Sequence, residues 1–249
     1  MNIFSELSNR ILQTDLKNLR LRLLRLPSVP NETLKVWAQC ENSISVLNSL
    51  QLMLHPDPPK NWDSLAALVM LLKHTSNNAC IMDAGGEYYS SSLPLLRSLG
   101  YKNLIATNLS FIKPVVKKNK IRYERGDITQ TRFPDNTFDA VTSLSVIEHG
   151  VNIEKYFNEM SRILKPNGIL FTSTDYWEEP VDTKNQIAFD VPIKIFTRKE
   201  ILACIDTANK NGFTLIGHLD LECVEKVVHW RPFDLRYTFI YFTLQKQGR

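Results

Sequence analysis

The sequence predicts an α/β protein, a mostly parallel sheet with helices on both faces, preceded by a helical extension. Two observations predict it. From Ala79 onward short apolar runs alternate with amphipathic segments, the pattern of strands joined by crossover helices. The first of these runs, Ala79-Cys-Ile-Met-Asp-Ala-Gly-Gly-Glu87, ends in an acid and a glycine turn. A buried strand, a tight turn and a helix in that order open nucleotide-binding α/β units, and glycine lets such a turn bend sharply and approach a ligand closely.

Residues 1–75 read as a helical extension. Leu12, Leu16, Leu19 and Leu23 recur at helical spacing, Arg10, Lys17, Arg20 and Arg25 are available for the other face, and Pro27 and Pro30 end the helix. Further helical segments are predicted from Asn31 to about Leu54 and from Asp63 to His74, separated by His55-Pro-Asp-Pro-Pro59. The first helix has two readings. It is a packing element or lid on the sheet, or a basic amphipathic helix that contacts an anionic membrane surface or a partner chain.

Residues 76–249 read as the main domain. Strands are predicted at 80–83, 103–107, 121–124, 138–143, 169–174, 213–217 and 237–244. Ser90, Ser91 and Ser92 are candidate caps for the helix after the glycine turn, with Pro94 in its first turn. A helix over 152–164 is stopped by Lys165-Pro-Asn-Gly168, and Thr197-Arg-Lys-Glu200 has capping-box spacing for a helix to about Lys210.

Three stretches carry a resemblance: Asp83-Ala-Gly85-Gly86, the run Phe133-Pro-Asp-Asn-Thr-Phe-Asp139-Ala-Val-Thr-Ser-Leu-Ser-Val-Ile-Glu148-His149, and Leu164-Lys-Pro-Asn-Gly168-Ile-Leu-Phe-Thr. Together they resemble the class I S-adenosylmethionine-dependent methyltransferases of type 11, in order and spacing from about Ala79 to Gly217. The resemblance implies a Rossmann-like, seven-stranded sheet and S-adenosyl-L-methionine as cofactor. A softer similarity, in Val227-Val-His-Trp230-Arg-Pro and Arg236-Tyr-Thr-Phe-Ile, is to methyltransferases of bacterial glycan and polysaccharide loci.

In an open α/β sheet the ligand lies beyond the carboxyl ends of the strands. The resemblance therefore implies that Asp83, Gly85 and Gly86 face the methionine part of the cofactor. It places Asn108 at the ribose, Asp127 and Ile128 at the adenine, and Ser143 with Leu144 beside the transferable methyl group. Two departures stand out. Asn108 occupies a position where the family usually has an acid, a difference of about 1 kcal/mol for an uncharged hydrogen bond. Glu87 stands where the second glycine of DxGxG is usual, so either the loop is remodelled, with Tyr88 and Tyr89 shaping the pocket, or cofactor binding is lost; persistence of the other motifs favours remodelling.

A sulfonium carries an already activated methyl, so alignment of the acceptor is the main task, and a hydroxyl acceptor also needs a base. His149 is the candidate general base, although Glu-His is common there in the family without always being catalytic. Tyr176 and Trp177, in Asp175-Tyr176-Trp177-Glu178-Glu179, are candidates for stacking a carbohydrate acceptor, with a packed anchor as the alternative for Trp177. No metal site is expected, because the histidines have no partners at ligand spacing.

Lys and Arg number 30 against 26 Asp and Glu, a net charge of +4 that gives no argument for nucleic acid. Cys40, Cys80, Cys204 and Cys223 form no CxxC pair, the usage of a reducing cytoplasm. No apolar run reaches the roughly 20 residues of a membrane span, and the start lacks the regions of a signal peptide. The expectation is a cytoplasmic S-adenosylmethionine-dependent O-methyltransferase acting on a small polar molecule such as a sugar or glycan intermediate. The alternatives are a natural-product or lipid-like acceptor, and a non-catalytic methyltransferase-like binding or scaffold protein.

Overall fold

The computed structural model describes residues 15–113 and 115–248. Five strands run parallel: β2 (Cys80–Ala84), β3 (Asn103–Asn108), β5 (Ile121–Arg125), β6 (Phe138–Leu144) and β7 (Leu164–Tyr176). β3 and β5 lie to one side of β2, β6 and β7 to the other. The strand order therefore reverses beside β2, and the crevice between β2 and β6 is the switch point where such sheets take their ligands.

Long β12 (Leu235–Lys246) runs antiparallel to β7. On its far edge it pairs with β10 (Phe213–Leu215) and with β1 (Glu32–Thr33). β11 (Val228–Trp230) makes a hairpin with its start, and β4 (Val115–Lys118) closes the other edge against β5. The main sheet thus has ten strands, the seven expected plus β1, β4 and β11. A separate two-stranded ribbon joins β8 (Ile187–Ala188) and β9 (Val191–Pro192).

Strand periodicity divides the core into two layers. Consecutive residues Ile81 and Met82, Ala140 and Val141, and Phe171 and Leu170 face opposite sides. One layer is covered by helices α1 (15–24), α2 (Trp37–Ser49), α3 (Lys60–His74) and α4 (Ser92–Ser98). The other is covered by α5 (Ile153–Ile163) and α6 (Arg198–Lys210). α5 forms because Asn152 caps it, accepting from the Lys155 amide, and it buries Tyr156, Phe157, Met160 and Ile163 on one face. At α6 the predicted capping box is present, Thr197 and Glu200 each accepting from the other's amide.

The leucine face of α1 packs inward: Leu23 is fully buried, Leu16 and Leu19 pack on the core, and Arg20 donates to the Leu99 carbonyl at 3.0 Å. Leu12 and Arg10 lie outside the described residues. The segment expected to be helical from Asn31 to Leu54 is instead β1 followed by the shorter α2, because the edge of β12 takes Glu32 and Thr33 as a strand. No helix among the described residues is long and apolar enough to cross a membrane.

Two acids of the Phe133–His149 run are structural. Asp139 accepts from the Cys80 amide at 2.7 Å and from Lys165, tying β6 to β2 and β7. Asp135 pairs with Arg162, whose guanidinium also bonds Glu159 and the Phe133 carbonyl.

Candidate active site

At the carboxyl ends of β2 and β6 a cavity of about 940 Å³ opens on the face covered by α3 and α4, within the size range of small-molecule sites. A second of about 440 Å³ lies at the ends of β3 and β5. The glycine loop lines the first, and the Gly85 amide donates to the carbonyl of Thr107, which lines the second. Gly85 has φ +82°, a left-handed conformation, and a Cβ there would run into Val146. A Cβ on Gly86 would strike Asp83 Oδ2, so only glycine lets the backbone fold over that carboxylate.

Asp83 is 3 % exposed. Ser92 and Thr142 hydroxyls donate to its two oxygens at 2.5 and 2.7 Å. Burial raises its pKa to about 6, with nearby Asp63 adding to the rise and the two hydroxyls opposing it. Of the three candidate caps of α4, Ser91 stands at the cap position without a side-chain cap hydrogen bond, and Ser92 is the first helical residue, its side chain serving Asp83 instead.

Asn108, at the end of β3, donates to the Gly85 carbonyl and to Glu87 Oε1, at 2.8 and 3.0 Å, and accepts from the Ser110 amide. Asp127 is exposed at the smaller cavity, one oxygen accepting from the amide and hydroxyl of Thr129, each at 2.8 Å. Tyr89 lines the large cavity beside His55, at 6.1 Å between ring centroids. His149 lines it as well, its ring edge-on to Phe189 at 5.0 Å.

Five expected site residues lie elsewhere. Ser143 is fully buried beside Tyr156 of α5, on the opposite face of β6; Leu144 and Ser145 line the cavity in its stead. Ile128 packs into the layer under α5 and α6. Tyr88 turns away to pack on Phe111 and Tyr123, both at 4.8 Å. Tyr176 is fully buried and donates to the Leu221 carbonyl at 2.9 Å. Trp177 packs against the core under the Lys226 ammonium.

The polar heart of the large cavity is a set the sequence did not mark. Glu148 is 1 % and Asp175 5 % exposed, yet both line the cavity. Glu148 accepts from Thr174 through Oε2 at 2.9 Å while Oε1 has no hydrogen-bond partner among the described residues. Burial, and then the neighbouring Glu148 carboxylate, hold Asp175 well above the usual carboxylate range. The Tyr237 hydroxyl lies against Asp175. Lys60, in the first turn of α3, reaches Ser145 Oγ, pairs with Asp63 at 3.6 Å and sits 3.7 Å over the Phe239 ring. Ser145 has φ +52°, a strained conformation for a non-glycine residue of the kind that collects at functional sites. The position of Asp175 at the end of a strand was the only sequence signal for this group; Lys60 and Tyr237 had none.

Residues 88–172 match the family model of the methyltransferase domain. A stretch of 150 residues is 29% identical to "Sterol 24-C-methyltransferase ERG6B" of Gibberella zeae, covering 53% of this chain and 39% of that protein. The chain thus spans less than two fifths of that relative's length. Among solved structures, the fold is similar to that of a Burkholderia thailandensis 1,6-didemethyltoxoflavin-N1-methyltransferase with bound S-adenosylhomocysteine: TM-score 0.54, 15% identity, 84% of this chain and 87% of that one covered. It is also similar to the cyclase SpnF, with TM-score 0.58, 12% identity and coverage of 86% and 94%.

Proposed function

We propose that this chain, a class I S-adenosylmethionine-dependent methyltransferase by domain and fold, methylates a small molecule that has an apolar body and one proton-bearing group. The observation that carries the reading is the cradle at the switch point, where Gly85 and Gly86 fold over buried Asp83 and line the large cavity. The residues fit the cofactor. Asp83 offers a buried carboxylate for its methionine end, and Asp127 has one oxygen without a hydrogen-bond partner among the described residues, left for the adenine amine. When bound, the cofactor supplies a methyl already activated on a sulfonium.

The acceptor reading follows from the large cavity. Half of its lining residues are apolar, Trp37, Pro58, Tyr89, Phe189 and Trp230 among them, and the other half are polar or charged, including the buried Glu148 and Asp175. A wall of aromatic rings beside ionisable groups suits a molecule with an apolar body and a hydrophilic end. That favours a natural-product or lipid-like acceptor over a sugar, whose expected stacking pair, Tyr176 and Trp177, is committed to packing. For removal of the acceptor's proton the cavity has His149 and the Glu148–Asp175 pair; the pair is held by Thr174 and Tyr237, and a raised carboxyl is a better base near neutral pH.

A non-catalytic binding protein is the second reading, favoured by Glu87 standing in the wall of the large cavity where a glycine is usual. Thermal denaturation with S-adenosylhomocysteine separates the two. Ligand at 100 times its dissociation constant stabilises by about 2.7 kcal/mol, and no shift at millimolar ligand would sink the enzyme reading. Screening phenols, alkylamines, sterols and glycosides with methyl-labelled cofactor then identifies the acceptor. With an acceptor in hand, Asp175→Asn should lower turnover more than His149→Ala; the reverse order assigns the proton to His149.

A further inference from the structure

We infer that Glu87 is the residue that grips the ribose diol of the S-adenosyl ligand, and that Asn108 is the positioning residue that aims it. The inference rests on the S-adenosyl ligand of the proposed function and adds which side chain reads its sugar. Glu87 lines the large cavity, Thr107 and Leu109 on either side of Asn108 line the small one, and the Asn108 and Glu87 side chains meet there, which puts Glu87 on the path of a ligand that reaches from one cavity to the other.

The amide of Asn108 has little left to offer a ligand there. Both of its N–H donors are engaged, one by the Gly85 carbonyl and one by Glu87, and its oxygen already accepts from the Ser110 amide. Glu87, in contrast, is half committed. Oε1 accepts from Asn108 at 3.0 Å and from the Ser110 hydroxyl at 2.5 Å, while Oε2 accepts no hydrogen bond among the described residues.

The loop holds the side chain in that direction from both flanks. The Glu87 amide donates to Ser90 Oγ at 2.9 Å, and Tyr88 is pinned to Phe111 and Tyr123 on the other side. A vicinal diol presents two adjacent O–H donors, and an ionised carboxylate accepts them in charge-assisted bonds stronger than a neutral amide makes. The departure from DxGxG and the missing acid at the end of β3 are then one exchange: the carboxylate has moved from the strand end to the loop.

The test is calorimetric binding of S-adenosylhomocysteine and of its 2′-deoxy analogue to the full chain, wild type and Glu87→Gln, with melting temperatures as a check on folding. Wild type should prefer the ribose ligand; Glu87→Gln should bind it about tenfold more weakly and bind the deoxy analogue within twofold of wild type. The double variant Glu87→Gly, Asn108→Asp, which returns the acid to the strand end, should recover most of the affinity. If Glu87→Gln keeps both the affinity and the ribose preference of wild type, or weakens the two ligands equally, the inference is overturned while the proposed function stands. Absence of any binding by the wild type overturns both.

Discussion

Asp83 lets the electrostatics of the site be tested without an acceptor. Its carboxyl is 3 % exposed and its pKa rises from the ordinary 3.8 to about 6. The folded protein therefore holds this proton more tightly than the unfolded chain. The contribution to stability is fully present below 3.8 and is lost as pH rises through about 6. At about 1.4 kcal/mol per pKa unit the loss is on the order of 3 kcal/mol.

Asp83→Asn removes the titration while keeping an acceptor for one of the two hydroxyls and a donor for the other. Urea unfolding of both proteins between pH 4 and 8 gives the comparison. The stability of wild type relative to Asp83→Asn should fall by roughly 2–3 kcal/mol across that window, most steeply at about pH 5, midway between the unfolded and folded pKa values. The difference is what matters, because Glu32, Asp57 and Asp175 are also raised by burial and tilt both curves alike. A difference constant to within about 0.5 kcal/mol would refute the buried-acid description. A cation beside Asp83 favours its charged form, so S-adenosylmethionine binding at pH 6 should release protons, seen as a dependence of the binding heat on the buffer's ionisation enthalpy.

Three further substitutions divide the site from its scaffold. Gly86→Ala forces a methyl against a carboxylate fixed by Ser92 and Thr142; it should cost about 1–3 kcal/mol and abolish the melting shift with S-adenosylhomocysteine. Thr197→Ala removes the α6 cap and should cost about 1 kcal/mol in urea unfolding, with the dissociation constant unchanged. Tyr176→Phe leaves the Leu221 carbonyl without its donor and should cost about 1–3 kcal/mol, again with binding unchanged; a weakened dissociation constant would return Tyr176 to the site.

Most of the central sheet was legible because its strands are apolar runs buried on both faces, a pattern that little else in a globular chain produces. β1, β4 and β11 were not. Two residues, Glu32 and Thr33, carry no periodicity, and Val-Val-Lys-Lys of β4 is mostly exposed. Such segments become strands because a neighbour's edge needs pairing, which is a property of the neighbour. β1 in particular caps the far edge of β12 between residues 240 and 241, so the N-terminal stretch, read from sequence as an extension, is a member of the same sheet.

Two of the displaced expectations, Ser143 and Tyr176, share one physical cause, strand parity. Successive strand residues face opposite sides, and the cavity opens only on the face covered by α3 and α4. On β6, Thr142 and Leu144 point to that face, and Ser143 to α5. On β7, Ser173 bonds Asp63 of α3 and Asp175 lines the cavity, while Thr172 meets Tyr156 and Tyr176 enters the opposite layer. The sequence locates the strand end but not its phase, because both faces are buried and no polar alternation marks one as solvent. Asp83 is the anchor that resolves it: a carboxylate on β2 that bonds α4 through Ser92 fixes which face carries the site, and every residue two positions away along a neighbouring strand follows. A one-residue shift moves the aromatic Tyr176 out and the ionisable Asp175 in, which is why the proposed acceptor is a molecule held at a carboxylate pair and not a stacked sugar.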